Sequence, residues 1–376
     1  MEIYLDNAAT TRVCTEAADI AYKVMTECYG NPSSTHTKGR DAKAYLDTAR
    51  AQIASALGCS ASEVYFTSCG SESDVWAITR GAESAARRGR HIISSAVEHD
   101  AVRKTLEELE SRGFEVTYLS PEKDGSVSAD AVKAALREDT ILVTLMMVNN
   151  ETGGITDIAA IAKMLKGCGS KALLHTDAVQ GFMKVPFSAK KLGADMISIS
   201  GHKIHAPKGI GALYIKTGVK IKPLIRGGAQ EGGMRAGTEA MPQIAAFGKA
   251  AEIAFSGMKD NCDTMASLRA LAMSTICADI PEAQIIGGGA PHILSVSLPG
   301  WRSEVLMNFL EAEGIYVSRS SACKKGGRSH VLEAMRLPAQ VIDGAIRVSF
   351  SRYNTEDDVL ALCSALKRAH DTLAHR

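Results

Sequence analysis

The fold is decided by the stretch Asp195-Met196-Ile197-Ser198-Ile199-Ser200-Gly201-His202-Lys203. Its apolar run is short and bounded by glycine, which is typical of a strand buried on both faces of a parallel sheet. Such a strand ends at Ser200 and delivers Lys203 to the sheet edge where open α/β folds bind ligands. A lysine in a loop is usually a solvated side chain, but one that is partly desolvated at this edge becomes a nucleophilic amine able to form a Schiff base.

Strands and amphipathic helices alternate on both sides of this stretch. Seven candidate strands cover residues 64–67, 91–96, 115–119, 141–148, 172–176, 196–200 and 212–215. This alternation predicts an α/β protein with a mostly parallel seven-stranded sheet covered by helices on both faces.

The pattern changes beyond Gly237, where two long helical segments lead into a shorter mixture of strands and helices. We therefore expect a large domain over residues 15–257 and a small α+β C-terminal domain over residues 258–376. Residues 1–14 are expected to pack with the small domain. Within that domain, one strand is expected over residues 315–318.

Composition narrows the class of protein. The chain has 376 residues, of which 45% are apolar, and a net charge of +1, so a sizeable core is available and no polyanionic partner such as nucleic acid is indicated. No signal peptide or membrane span is recognisable. Nine cysteines without any Cys-x-x-Cys pair are expected to be reduced, mostly buried fillers, which favours a soluble protein of the cytoplasm.

Polar side chains follow the predicted strands at the points where these strands end. The second strand is followed by Glu98 and His99, the fourth by 149–151 and the fifth by Asp177 and Gln180. One such residue alone is most often a turn or cap residue, but several at one sheet edge are typical of a catalytic site.

The first predicted strand leads into a small polar segment that opens a helix. Ser71 and Asp74 are spaced as a helix capping box. Gly70 lets the backbone approach a ligand, and free amides at a helix start favour a phosphate. A glycine-rich segment over residues 226–238 is a second candidate binding loop. A nucleophilic lysine, a carboxylate, a histidine and a phosphate cradle together indicate pyridoxal phosphate (PLP).

The chain resembles the cysteine desulfurases of the nitrogen-fixation and iron–sulfur-cluster-assembly group, which are class V aminotransferase-like PLP enzymes of fold type I. The resemblance runs almost end to end. It is carried by Tyr4–Thr11, Asn31–Ser34, Phe66–Ser68 with Glu72–Ser73, Glu98–His99, Val148–Glu151, His175–Gln180, Ser200–Lys203, Arg235–Thr238, Ser321–Cys323 and Ile346–Ser349.

The resemblance implies a role for each cofactor residue. Lys203 would form the Schiff base with PLP, Asp177 would pair with the pyridine nitrogen, and Gln180 would meet the ring hydroxyl. His99 would stack on the ring and move protons. The remaining cofactor-binding residues implied in this way are Gly70, Ser71, Asn150, Ser200, His202 and, reaching across from the second subunit of a homodimer, Thr238.

The resemblance also implies the substrate site. Arg347 and Asn150 would hold the amino acid, with Asn31 nearby, and the arginine suits a bidentate grip on a carboxylate.

Cys323 would be the sulfur-accepting nucleophile. It lies in a polar, basic, glycine-containing segment over residues 318–328, which is expected to be exposed and to stabilise a thiolate. It would be able to contribute a ligand to a transferred iron–sulfur cluster, and no other metal site is expected. Arg319 stands where the family has a small residue, which leaves open how far the thiol travels.

The implied activity is PLP-dependent conversion of L-cysteine to L-alanine. Sulfur would pass to Cys323 as a persulfide and then to an acceptor protein, either an iron–sulfur scaffold or an enzyme of tRNA or cofactor thiolation. Two alternatives stay open: another PLP enzyme of this fold, such as a selenocysteine lyase or an aminotransferase, and a non-catalytic scaffold protein that keeps the fold.

Overall fold

The structure, a computed structural model, describes residues 2–319 and 327–373. The strands are β1 Ile3–Tyr4, β2 Val64–Thr67, β3 His91–Ser95, β4 Glu115–Leu119, β5 Thr140–Met146, β6 Leu173–Asp177, β7 Met196–Ser200, β8 Gly211–Ile215, β9 Gln284–Ile286, β10 Ile293–Ser297, β11 Ile315–Tyr316, β12 Ser318–Arg319 and β13 Ala345–Ser349. The helices are α1 Thr15–Thr26, α2 Thr37–Leu57, α3 Gly70–Ala85, α4 Asp100–Ser111, α5 Ala129–Ala135, α6 Ile158–Gly167, α7 Ala189–Leu192, α8 Met241–Ser256, α9 Met258–Asp279, α10 Ser303–Ala312, α11 His330–Ala334, α12 Ala339–Asp343 and α13 Glu356–Thr372.

The central element is a seven-stranded sheet in the order β2-β8-β7-β6-β5-β3-β4. The strands from β7 through β4 in this order are mutually parallel, and β8 runs antiparallel between β2 and β7. Every residue of β5, β7 and β8 is buried, as expected for a sheet covered on both faces. The predicted mostly parallel seven-stranded α/β sheet is confirmed.

Helices cover the sheet on two faces and enclose two apolar clusters. Trp76 of α3 and Leu106 of α4 belong to the cluster on one face. Phe182 and Phe247 meet edge to face in the cluster on the other, where α8 packs against α1 and α2. These clusters pack the sheet between its two layers of helices.

The C-terminal part contains a four-stranded antiparallel sheet in the order β12-β13-β10-β9, packed with α9, α10 and α13. The prediction of one strand over residues 315–318 is wrong. The chain forms two short strands separated by Val317, because β11 pairs with the N-terminal strand β1 whereas β12 pairs with β13. The allocation of residues to three units stays a prediction.

Two local predictions are corrected. Ser71 and Asp74 do not form a capping box, because α3 already begins at Gly70 and Asp74 lies inside the helix facing the core. Of the eight described cysteines, all free, only Cys14 and Cys363 are buried, so most are not core fillers. Within the described residues, no helix combines the length and the apolar character needed to cross a membrane.

Candidate active site

A cavity of about 390 Å³ opens at the carboxyl ends of the parallel strands. It is lined by residues that follow β3, β5, β6 and β7 and by the start of α3. The predicted site residues that line it are Gly70, Ser71, His99, Asn150, Asp177, Gln180, Ser200, His202, Lys203 and Arg347.

Lys203 reaches the cavity because the chain turns sharply after β7. A side chain at Gly201 would place its Cβ 2.8 Å from Cγ2 of Ile210, so glycine is required for the short helical turn that follows. The Nζ atom of Lys203 donates hydrogen bonds to the carbonyl oxygens of Ala8 and Ala9, each at 2.7 Å. We call residues Asp6–Thr11, which supply these carbonyls, the strap.

Asp177 ends β6 and is buried beside a second carboxyl group, that of Asp74. Burial raises the pKa of Asp177, but its Oδ1 accepts the backbone N–H of Val179 at 2.9 Å, and this hydrogen bond and the charge of Lys203 oppose the rise. Burial and the neighbouring Asp177 raise the pKa of Asp74 well above its usual value. Because Asp177 has the amide of Val179 and the charge of Lys203 facing it, we assign the negative charge to Asp177 and the proton to Asp74.

Gln180 connects the cavity to the strap. Its Nε2 donates to the carbonyl oxygen of Ala8 at 2.8 Å, so Gln180 and Lys203 share an acceptor. Its Oε1 lies 3.3 Å from Nε2 of the buried His292. The side-chain amide is therefore held in place from both ends.

His99 precedes α4 and caps it, since its Nδ1 accepts the backbone N–H of Ala101 at 3.2 Å. This contact leaves the proton of the neutral ring on Nε2. The adjacent Glu98 is buried, and its Oε1 accepts hydrogen bonds from Ser95 Oγ at 2.6 Å and Met146 N at 3.1 Å. Burial raises the pKa of Glu98 to about 8, so this carboxyl group is mostly protonated at neutral pH.

The start of α3 has the features of a phosphate cradle. A side chain at Gly70 would come within 2.7 Å of Cγ2 of Val179 and 3.3 Å of Cβ of Ser200. The hydroxyl of Ser200 is buried without a hydrogen-bond partner among the described residues, and the preceding Cys69 offers no side-chain cap to the first helical amides. These free donors at the N-terminus of a 16-residue helix fit a phosphate group.

His202 lies beside this cradle in its neutral form. Burial, together with the charge of the neighbouring Lys203, lowers the pKa of His202 to about 4. Its Nδ1 lies 3.2 Å from the hydroxyl of Thr10 in the strap, which orients the ring.

Arg347 forms the opposite end of the cavity. Its Nη1 donates to the carbonyl oxygen of Asn150 at 2.9 Å, and its Nη2 donates to Oδ1 of Asp6 at 2.8 Å. Glu151 lies nearby, accepts the hydroxyl of Ser329, and has a pKa raised to about 7 by burial. This end of the cavity therefore presents a buried guanidinium next to a carboxyl group that titrates near neutrality.

Two predicted residues do not line the cavity, and a third is not among the described residues. Asn31 is exposed and its Oδ1 accepts the backbone N–H of Ser33. Thr238 is exposed and does not line the cavity. Cys323 lies outside the described residues.

Other cavity residues were not expected from the sequence. Asp74, Arg328 and His330 line the cavity, and Asp6 pairs with Arg347 behind it. Neither Asp74 nor the Asp6–Arg347 pair had a local signal, because Asp74 is buried only by the packing of α3 on the sheet and the pair joins residues 341 positions apart.

Comparisons with known proteins agree with this architecture. The aminotransferase class-V model matches residues 3–362. A cysteine desulfurase IscS of Methanosarcina thermophila is 43% identical over 95% of this chain and 89% of its own length. A solved NifS-like protein superimposes with a TM-score of 0.94 at 38% identity, over 99% of this chain and all of its own. The structure of SspA in complex with cysteine gives a TM-score of 0.80 at 32% identity, over 94% of this chain and all of its own.

These matches span nearly the whole chain and confirm both the predicted fold and the resemblance read from the motifs. The chain belongs to the aminotransferase class-V family, within its NifS/IscS-like cysteine desulfurase group.

Proposed function

We propose that this protein removes sulfur from L-cysteine, giving L-alanine and a persulfide on Cys323, with PLP as cofactor. The observation that carries the proposal is the convergence of Lys203, Asp177 and the α3 cradle on one cavity of about 390 Å³. The cysteine bound to the related SspA supports the choice of substrate.

The residues present fit the cofactor. Ser200 has a buried hydroxyl without a partner among the described residues, and the space at Gly70 does not admit a side chain, so backbone amides and hydroxyls would hold the phosphate. Asp177 would hold a proton at the pyridine nitrogen and Lys203 would provide the covalent attachment. When bound, the cofactor supplies an electron-withdrawing ring that makes the Cα proton of an amino acid acidic.

The residues of the chain would bind the substrate and transfer its protons. Arg347 would bind the substrate carboxylate. Nζ of Lys203 would take the Cα proton, and the carbonyls of Ala8 and Ala9, which already accept hydrogen bonds from that atom, would stabilise the resulting ammonium. His99 carries its ring proton on Nε2 and would exchange it with the substrate.

The sulfur step balances without any external oxidant. The thiolate of Cys323 attacks the sulfur of the substrate and the Cβ–sulfur bond breaks. The Cβ atom keeps the electron pair of that bond and receives the proton that completes L-alanine. The sulfur atom stays on Cys323 as a persulfide, from which an acceptor protein or a thiol reductant removes it. We propose an iron–sulfur scaffold or a thiolation enzyme as that acceptor.

We also propose that the protein acts as a homodimer in the cytoplasm. The exposed position of Thr238 outside the cavity supports a contribution to the phosphate site of a second copy. The eight free cysteines of the described residues support a reducing compartment.

The decisive experiment supplies the PLP-loaded protein with L-cysteine and dithiothreitol. Alanine and sulfide are expected in equal amounts, and Lys203→Ala and Cys323→Ala should each abolish both. Cys168→Ala, at an exposed cysteine on the C-terminal side of α6, is the matched control and should keep full activity. Full turnover in Cys323→Ala would favour an aminotransferase, and a preparation that binds no PLP would favour a scaffold.

A further inference from the structure

The guanidinium of Arg347 is held by the strap before any substrate arrives. Its side chain is 3% exposed, and the partner of its Nη2 is Asp6, at 2.8 Å. Its Nη1 donates to the carbonyl oxygen of Asn150. The Nε–H is buried without a partner among the described residues. A buried donor without an acceptor indicates a site that is completed by something else.

The strap does not depend on the carboxylate of Asp6 for its own position. The backbone of Asp6 forms a parallel bridge with Ser349, and its carbonyl oxygen accepts the N–H of Ala9 at 3.0 Å. Asn7 donates to the carbonyl oxygen of Ser349 at 3.0 Å, and Ala8 N donates to the hydroxyl of the same serine at 2.8 Å. The contact made by the Asp6 carboxylate is to Arg347, so that carboxylate can be changed while the strap stays anchored.

An arginine needs such a partner in order to bind a carboxylate well. Its side chain has many rotamers, and the planar fork of donors grips a carboxylate only when it is presented in one orientation. When the orientation is already fixed in the free protein, ligand binding costs no further side-chain entropy. Asp6 does not line the cavity, so its influence on a ligand passes through Arg347.

We propose that Asp6 is a positioning residue that sets the orientation in which Arg347 receives the carboxylate of the amino-acid substrate. The proposal rests on the proposed function, since it takes Arg347 as the carboxylate-binding residue. It concerns substrate affinity and leaves the chemistry at Lys203 unchanged.

Two variants separate the position of the Asp6 side chain from its charge. Asp6→Asn keeps an oxygen acceptor in the same place and removes the charge. Asp6→Glu keeps the charge and moves it by one methylene group. If position matters, Asp6→Glu raises KM for L-cysteine about tenfold with kcat within about twofold, whereas Asp6→Asn stays within about threefold of the original KM. The affinity for L-alanine, followed by the visible absorption of the bound cofactor, should fall by the same factor in Asp6→Glu.

The matched control is Glu313→Asp, which shortens the carboxylate partner of Arg368. That pair also has an oxygen–nitrogen distance of 2.8 Å, but it does not line the cavity, so KM should not change. Equal KM values in all three variants, a larger effect in Asp6→Asn than in Asp6→Glu, or a fall in kcat at constant KM would each overturn the proposal. Failure of the unaltered protein to form alanine from L-cysteine would instead overturn the proposed function, before any variant is compared.

Discussion

Two sets of ionisable groups of opposite sign lie at the cavity. Among the carboxyl groups, Asp74 and Asp177 line it, and Glu98 is buried next to the lining residue His99. Among the bases, the half-buried Lys203 and the buried Arg347 line it. Arg347 has a partner of opposite charge in Asp6, and the charge of Lys203 opposes the rise that burial causes in the pKa of Asp177. Burial without such a partner favours the neutral form in both sets.

Lys184 is a further buried base, close to Lys203, to which the same comparison applies. The two lysines line the same small cavity of about 20 Å³. The Nζ of Lys184 is buried without a hydrogen-bond partner among the described residues. Burial, with added repulsion from Lys203 and Arg347, lowers the pKa of Lys184 to about 7. It is the basic counterpart of Glu98, whose pKa burial raises to about 8.

The largest expected effect separates the two neighbouring carboxyl groups. Asp177→Asn should lower kcat for alanine formation about 1000-fold, because the charge facing the pyridine nitrogen is lost, an effect of the size found when one preorganised electrostatic group is removed. Asp74→Asn should stay within about threefold, because a neutral amide replaces a carboxyl group that is already protonated. Equal losses in the two variants, measured as alanine formed per cofactor bound, would mean that Asp74 shares the charge.

The second prediction concerns the stability of a variant at the buried base Lys184. Lys184→Met keeps the shape of the side chain and removes the amine. The unfolded chain binds this proton up to about pH 10.5 and the folded chain only up to about pH 7, so the stability of the unaltered protein falls as the pH drops from 10.5 to 7. The variant should therefore be more stable by about 5 kcal/mol at pH 6, and the advantage should vanish above about pH 10.5.

Denaturant unfolding at several pH values measures this difference. Lys190→Met, at an exposed lysine of α7, is the control and should show no such dependence on pH. A constant offset between Lys184→Met and the unaltered protein at all pH values would show that the buried amine keeps an ordinary pKa.

The sequence predicted the sheet because its strands carry their own signal. β5 is a largely apolar run and β7 alternates apolar residues with serine, and the bounds of both strands agree with the predicted ones to within two residues. Asp177, Gln180 and Lys203 could be assigned to one edge because parallel strands bring their carboxyl ends together. Local pattern and topology were sufficient for these residues.

Contacts between distant segments were beyond the reach of the sequence. Asp74 was read as a cap residue because a polar side chain near a helix start is usually solvated, and only the packing of α3 on the sheet buries it. Lys184 carries no local signal of burial, since it packs with residues of α8, α9 and the segment after β13. The split of residues 315–318 between two sheets depends on the N-terminal strand β1.

The last prediction concerns Glu98, the buried acid that corresponds to the buried base Lys184. Glu98→Gln keeps the oxygen that accepts from Ser95 and Met146. The raised pKa means that the unaltered protein loses stability as the pH rises from about 4.5 to about 8, since the unfolded chain releases this proton first. Relative to it, the variant should gain about 5 kcal/mol over that range, as much as Lys184→Met, because the raised pKa already includes the effect of the two hydrogen bonds.

The sign of this slope is what tests the comparison. Lys184→Met should lose its advantage with rising pH, whereas Glu98→Gln should gain its advantage with rising pH, and both should level off outside their own windows. Glu122→Gln, at an exposed glutamate, provides the baseline. Slopes of the same sign in the two buried variants would show that global charge, and not the absence of a local partner, governs the two sides of the cavity.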